Sequence, residues 1–208
     1  MDPGHRRCTR LDLEPHEGAT MRVLVGYASE HHSTAEIAER IGARIRARGI
    51  AKRVDVSSLD RARSAIEYDA VVLGSAIHDR KWLPMARAFV FDNARALASR
   101  PVWLFSVGMA AALPATLQRW AKKEGAEAIA ALPSPLDPTS TRLFSGVLRK
   151  DHLAPVGRAA FALFGGHYGD FRDWEAIDAW ADEIADALAV RRPDAWSAEP
   201  EADIVGLA

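Results

Sequence analysis

The sequence predicts an α/β fold, a doubly wound five-stranded parallel sheet with helices on both faces. Three observations carry that expectation. Apolar runs of strand length alternate with segments of helical period. The strand-like runs are continuously apolar rather than alternating, as buried parallel strands are. The first of them, Val23–Tyr27, runs directly into the hydroxyl-bearing turn Ala28–Thr34, which opens a helix. Strand–helix alternation builds βαβ units, whose sheets are covered on both sides.

Each element has its own justification. After Val23–Tyr27, the segment Thr34–Arg48 places Ile37, Ile41 and Ile45 on one face and arginines elsewhere, with Gly49 as C-cap. Lys52–Val56 is a shorter, weaker strand. Ala70–Leu73 is all apolar and ends at Gly74-Ser75. Pro84–Leu97 reads as a helix with proline in its first turn. Val102–Ser106 is a strand ending at Gly108, and Pro114–Ala130 is helical again. Pro133–Pro138 breaks the chain, Arg142–Val147 is the last strand, and Asp173 caps a final helix to Ala189 with Ile177, Trp180, Ile184 and Leu188 on its apolar face.

The chain has 208 residues, 49% of them hydrophobic, enough for one domain with a sizeable core. Net charge is −1, from 27 basic and 28 acidic residues, which leans away from nucleic acid as a partner. Cys8 is the only cysteine, which excludes an internal disulfide and suits a reducing cytoplasm. No apolar run approaches the ~20 residues of a membrane span. Residues 1–20 read as a disordered extension, 21–190 as the domain and 191–208 as a disordered tail, with Met21 a candidate start of the folded part.

The first turn carries the chemistry. Ser29, Ser33 and Thr34 follow the first strand, where nucleotide phosphates sit in open α/β sheets, and the positive end of the helix favours an anion. Ser33 also stands three residues before Glu36, the spacing of a capping box, so it reads equally as a helix cap. The dinucleotide pattern G-x-G-x-x-G and the P-loop are absent, so a mononucleotide phosphate fits better. No G-x-S-x-G elbow is present, and the adjacent His31-His32 is a weak metal hint.

Tyr27, Ser29, Thr34 and Ala38, in the pattern Tyr-x-Ser-x-x-x-x-Thr-x-x-x-Ala, resemble the FMN-phosphate loop of flavodoxins. More specifically, the chain resembles the flavodoxin-domain proteins related to menaquinone-dependent protoporphyrinogen oxidase. Gly74–Pro84 resembles that family's second flavin loop, Phe105–Met109 its third, and Gly169–Trp174 the approach to its last helix. The resemblance spans roughly residues 21–190. It implies a flavodoxin-like sheet of order 2-1-3-4-5 and FMN as cofactor. The phosphate would lie on Ser29, Glu30, His31, His32, Ser33 and Thr34. The ring would lie between Ser75, Ala76, Ile77, His78 and Trp82 on one side and Ser106, Val107, Gly108 and Met109 on the other.

Two positions depart from the family pattern. His32 stands where a small residue, commonly glycine, is usual, and would crowd the loop or touch the phosphate. Gly26 replaces a larger apolar residue. Trp82 reads equally as a stacking face for the ring or as a core residue at a helix start. Arg149, Lys150, His152 and Arg158 form either a solvated face or a basic rim for an acidic partner or for porphyrin propionates. The implied function is an FMN-dependent oxidoreductase passing electrons from a reduced tetrapyrrole to a quinone or redox protein, with at most peripheral membrane contact. The alternatives are an electron carrier without a substrate of its own and an interaction module without flavin. Carrier flavodoxins are strongly acidic, so near-neutral charge leans away from the first alternative.

Overall fold

The computed structural model of the protein describes residues 21–133, 136–163 and 165–191. The extension before Met21 and the tail beyond Arg191 lie outside the described residues. The chain runs β1 (Arg22–Ala28), α1 (Ser33–Ala47), β2 (Arg53–Ser58), β3 (Ala70–His78), β4 (Lys81–Trp82), α2 (Pro84–Asp92), α3 (Ala94–Ala98), β5 (Val102–Gly108), α4 (Ala115–Ala130), β6 (Ser140–Ser145), β7 (Val147–Leu148), α5 (Pro155–Leu163), β8 (Gly169–Asp170) and α6 (Trp174–Val190).

The parallel sheet has the order β2-β1-β3-β5-β6, which is the expected 2-1-3-4-5. Successive strand residues point to opposite faces. Val23, Val25, Val72, Trp103 and Phe105 accordingly pack with Ile37, Ile41 and Ile45 of α1 and with Ile177, Trp180 and Ile184 of α6. Leu24, Val71, Leu73 and Leu104 pack on the other side with Ala86, Phe89 and Val90 of α2 and with Ala128 of α4. Two cores thus sandwich the sheet, and each fully buried Val, Leu or Ile contributes about 1.5–3 kcal/mol.

Helices α1 and α6 run side by side in the same direction. Arg40 pairs with Asp178 at 2.6 Å and Arg44 with Asp182 at 2.7 Å, and Arg48 reaches both Asp182 and Asp186. These arginines hold the Asp178 and Asp182 carboxyls below the usual carboxylate range.

Several expectations need correction. The helix read as Pro84–Leu97 is two helices. Asn93 interrupts it by donating from Nδ2 to the Phe89 carbonyl and accepting at Oδ1 from the Ala65 amide, bonds that compete with helix continuation. The last strand spans Ser140–Ser145, and after Gly146 the chain pairs instead with β8, antiparallel. β4 folds back on the end of β3 through Asp79 and Arg80, both left-handed at φ 48° and 60°. That is the two-residue turn that twists with a hairpin, here without its usual glycine signal. Gly26 has a structural reason: a Cβ there would overlap the Leu59 side chain.

Candidate functional site

Register places the site. Ala28 lies beside Ser75, Ser75 beside Ser106, and Gly108 beside Ser145. The loops leaving β1, β3, β5 and β6 therefore emerge together at the carboxyl edge of the sheet, where open α/β folds bind ligands. Between them lies a cleft of ≈ 690 Å³, within the range of small-molecule and cofactor sites.

Its first wall is the turn after β1. Ser29, Glu30, His31, Ser33 and Thr34 line it. The Ser29 hydroxyl is buried without a hydrogen-bond partner, a situation that costs free energy unless a ligand supplies the missing bond. The first turn of α1 borders the same space, and amides in a first turn have no carbonyl one turn back to bond.

Ser33 is not the helix cap. His32 occupies that position, in the left-handed conformation at φ 65°, with no side-chain capping bond. The Ser33 hydroxyl instead accepts the Val147 amide at 3.1 Å, tying the chain after β6 to the turn. His32 is exposed and stands outside the cleft lining. Its bulk does not crowd the cleft, and its cost is the backbone conformation that favours glycine.

The second wall comes from Ala76, Ile77 and His78, with Asp79 and Arg80 added by the hairpin turn. His78 Nδ1 lies 3.5 Å from Glu30 and so bridges the first and second loops. Val107, Gly108 and Met109 form the third wall.

Four expected residues do not line the cleft. Trp82 is only 2% exposed, and its indole N–H donates to Ser106 Oγ at 2.8 Å. In this structure Trp82 packs in the core beneath the loops. Ser106 accepts that bond. Ser75 donates to the Ala76 carbonyl and accepts the Leu83 amide at 3.0 Å. These three residues support the walls from below, because their polar atoms are spent on the protein itself. His32 is the fourth.

Sequence reasoning missed the rest of the lining. Leu113, Glu124, Leu143, Gly146, Val147, Leu148 and Leu153 also face the cleft, and His152 does so rather than merely belonging to a charged rim. The signal available was topological: Gly146–Leu148 follows a parallel strand at the same edge as the other loops. Burial raises the Glu124 carboxyl above its usual range, and Arg80, 4.0 Å away, opposes the shift. Burial also lowers the His152 imidazole, with nearby His31 acting in the same direction. Among the described residues no cluster of three or more His, Cys, Asp or Glu is arranged to hold a metal ion, and no helix is long and apolar enough to cross a membrane.

The orphaned Ser29 hydroxyl, the first turn of α1 and the size of the cleft all fit a flavin mononucleotide, the cofactor of flavodoxin domains. Comparison with known proteins bears on the fold and the family. No curated protein matches the chain. Among solved structures, the rubredoxin oxygen:oxidoreductase of Desulfovibrio gigas aligns with a TM-score of 0.52 at 17% identity, over 84% of this chain and 37% of that one. A flavodoxin from the domain Archaea aligns with a TM-score of 0.49 at 17% identity, over 81% of this chain and 99% of its own. At that identity the first alignment speaks for the fold alone. The sequence profile described as "Flavodoxin domain" matches residues 24–164, most of the chain, and the protein belongs to the flavodoxin-domain family.

Proposed function

We propose that the cleft holds FMN and that the protein is an oxidoreductase acting on a substrate of its own. The observation that carries this reading is the extent of the cleft. Beyond the three flavin loops it continues along an apolar wall of Leu113, Leu148 and Leu153, hydrophobic surface that those loops do not supply. Bound FMN supplies the redox chemistry, accepting electrons from one partner and passing them to another.

The residues of this chain divide the work. Ser29, Thr34 and the first-turn amides of α1 would hold the phosphate. Ala76, Ile77 and His78 would face the ring from one side, and Val107, Gly108 and Met109 from the other. Leu148 and Leu153 would exclude water and take an apolar substrate body. Arg149, Lys150 and Arg158 are exposed at the end of that wall and suit carboxylates on the substrate rim. A reduced tetrapyrrole with propionates has that combination, and a quinone or redox protein would collect the electrons, with any membrane contact peripheral.

An electron carrier without its own substrate is the second reading, favoured by the family match itself. The test is the visible absorption spectrum of the purified protein before and after adding FMN, followed by assays with protoporphyrinogen and a quinone. Flavin bands that survive desalting, with turnover of the tetrapyrrole, are expected. Bound flavin without turnover selects the carrier. A protein that stays colourless overturns the cofactor assignment and leaves an interaction module.

A further inference from the structure

His31 belongs to the turn between β1 and α1, and His152 ends the single helical turn Lys150–His152 that follows β7. Their imidazoles lie face to face, with centroids 3.9 Å apart and planes within 5° of parallel. Both line the cleft, from opposite segments of the chain. His152 is further oriented because its Nδ1 accepts the Arg149 amide at 3.3 Å. A ring nitrogen that accepts a hydrogen bond carries no proton, so His152 is neutral in this arrangement, with its hydrogen on Nε2.

We propose that the His31–His152 stack is a pH-sensitive clasp on the cleft, closed while His152 is neutral and open once it is protonated. Protonation of His152 puts a hydrogen on Nδ1, where the Arg149 N–H now points, and that bond is lost. It also sets a cationic ring against the face of His31 at stacking distance. Burial and the neighbouring His31 and Arg149 oppose the charged ring, which Asp151 and the Val147 backbone favour. Arg149 and Lys150 on the His152 side add positive charge, and Asp151 is the one acid there, paired with Arg149 at 3.6 Å. On the His31 side, Glu30 is engaged by His78 at 3.5 Å. Arg158 of α5 is anchored to the Leu153 carbonyl at 2.8 Å, adjacent to the clasp. Once the stack parts, the Ser33–Val147 bond remains as a hinge point, and the segment 149–153, which carries Leu153, is free to swing from the cleft.

The clasp does not depend on the ligand; its effect on flavin release rests on the FMN reading above. Hydrogen–deuterium exchange of the full chain without flavin tests the clasp directly, read on peptides spanning 146–153 and corrected for intrinsic rates. Protection of that segment is expected to fall about tenfold between about pH 8 and about pH 5, because burial holds the His152 imidazole below its ordinary range and the opening proton arrives on the acid side of it. In His152→Phe, which keeps an aromatic face and cannot be charged, protection should not respond to pH. His31→Phe, which sets an aromatic face without a second imidazole against His152, should respond less than the wild type. Unchanged wild-type protection across this range, or full pH dependence in His152→Phe, overturns the clasp. FMN release measured over the same range should accelerate most in the wild type and not at all in His152→Phe. If the segment responds but no flavin binds, the clasp stands and the cofactor reading falls. If flavin binds and the segment does not respond, the clasp falls.

Discussion

The turn at residues 29–34 and the segment at 146–171 face each other across one cleft, yet they are built differently. The turn hangs between β1 and α1, whose Val23, Val25, Ile37 and Ile41 are completely buried. The opposite segment rests on a small separate cluster of Ala112, Leu148 and Phe161, and its helix α5 leaves Val156 and Leu163 each 83% exposed. A few bonds join it to the body: the Gly146 amide to the Gly108 carbonyl, the Val147 amide to Ser33, and the His167 amide to the Ala112 carbonyl. One wall of the site is therefore fixed by the main core, and the other has its own, lower local stability.

Truncation in the two cores is the strongest way to break that contrast. Ile41→Ala empties space in the main core and should cost about 2–5 kcal/mol of global stability in urea unfolding. Phe161→Ala removes more atoms, yet should move the global transition by less than about 1 kcal/mol, because the satellite cluster opens independently. Exchange of residues 155–168 should rise in that variant while β1 and β3 stay protected. Equal global losses from the two substitutions would show that the walls share one cooperative unit.

Ser29→Ala sharpens the comparison at the ligand. The hydroxyl has no partner in the protein, so its removal should leave the stability of the flavin-free protein unchanged or slightly raised. FMN affinity should fall about ten- to a hundredfold, the worth of a hydrogen bond to a charged group. Fluorescence titration and thermal melting would read the two effects, and their opposite direction separates a binding residue from a structural one.

Trp82→Phe is the converse case. It should cost about 1–2 kcal/mol by leaving Ser106 Oγ buried without its donor, while the absorption bands of bound FMN stay where they were. A marked shift of those bands would return Trp82 to the ring.

The same division explains what the sequence makes legible. The central strands β1, β3 and β5 follow from continuous apolar runs, the order of the sheet from the flavodoxin resemblance, and Asp173 caps α6 by accepting the Ala176 amide at 2.9 Å, as its position suggests. The three flavin loops are readable because each directly follows such a run. Side-chain direction is not readable at that level. Ser75, Ser106 and Trp82 sit in the right loops but turn inward, since a hydroxyl or indole at a strand end satisfies itself locally when a partner is near. The segment after Ser145 is the least legible. Gly146, Val147 and Leu148 line the cleft, yet their partners are distant in sequence: the Val147 amide donates to Ser33, 114 positions away, and Leu148 packs with Ala112 and Phe161.

The smallest effect concerns the tie between the two regions. Arg172, its side chain only 12% exposed, reaches Glu36 in the first turn of α1 and pairs with Asp170 at 2.6 Å. Arg172 holds the Asp170 carboxyl below its usual range. A carboxyl whose folded pKa is depressed contributes stability that is fully present above the unfolded value, near ~3.9, and is lost as pH falls through the folded value. Asp170 is 48% exposed, so solvent screening keeps the contribution below about 1 kcal/mol. Asp170→Asn should therefore leave melting near neutral pH slightly lowered and make the acid side of the stability curve shallower below about pH 4. The change should appear first as faster exchange in β7 and β8, because Asp170 lies in that small sheet, paired with Val147. A uniform loss of protection across α1 and the parallel sheet would instead mean that this ion pair anchors the main core, and that the two walls of the cleft are less separate than their packing indicates.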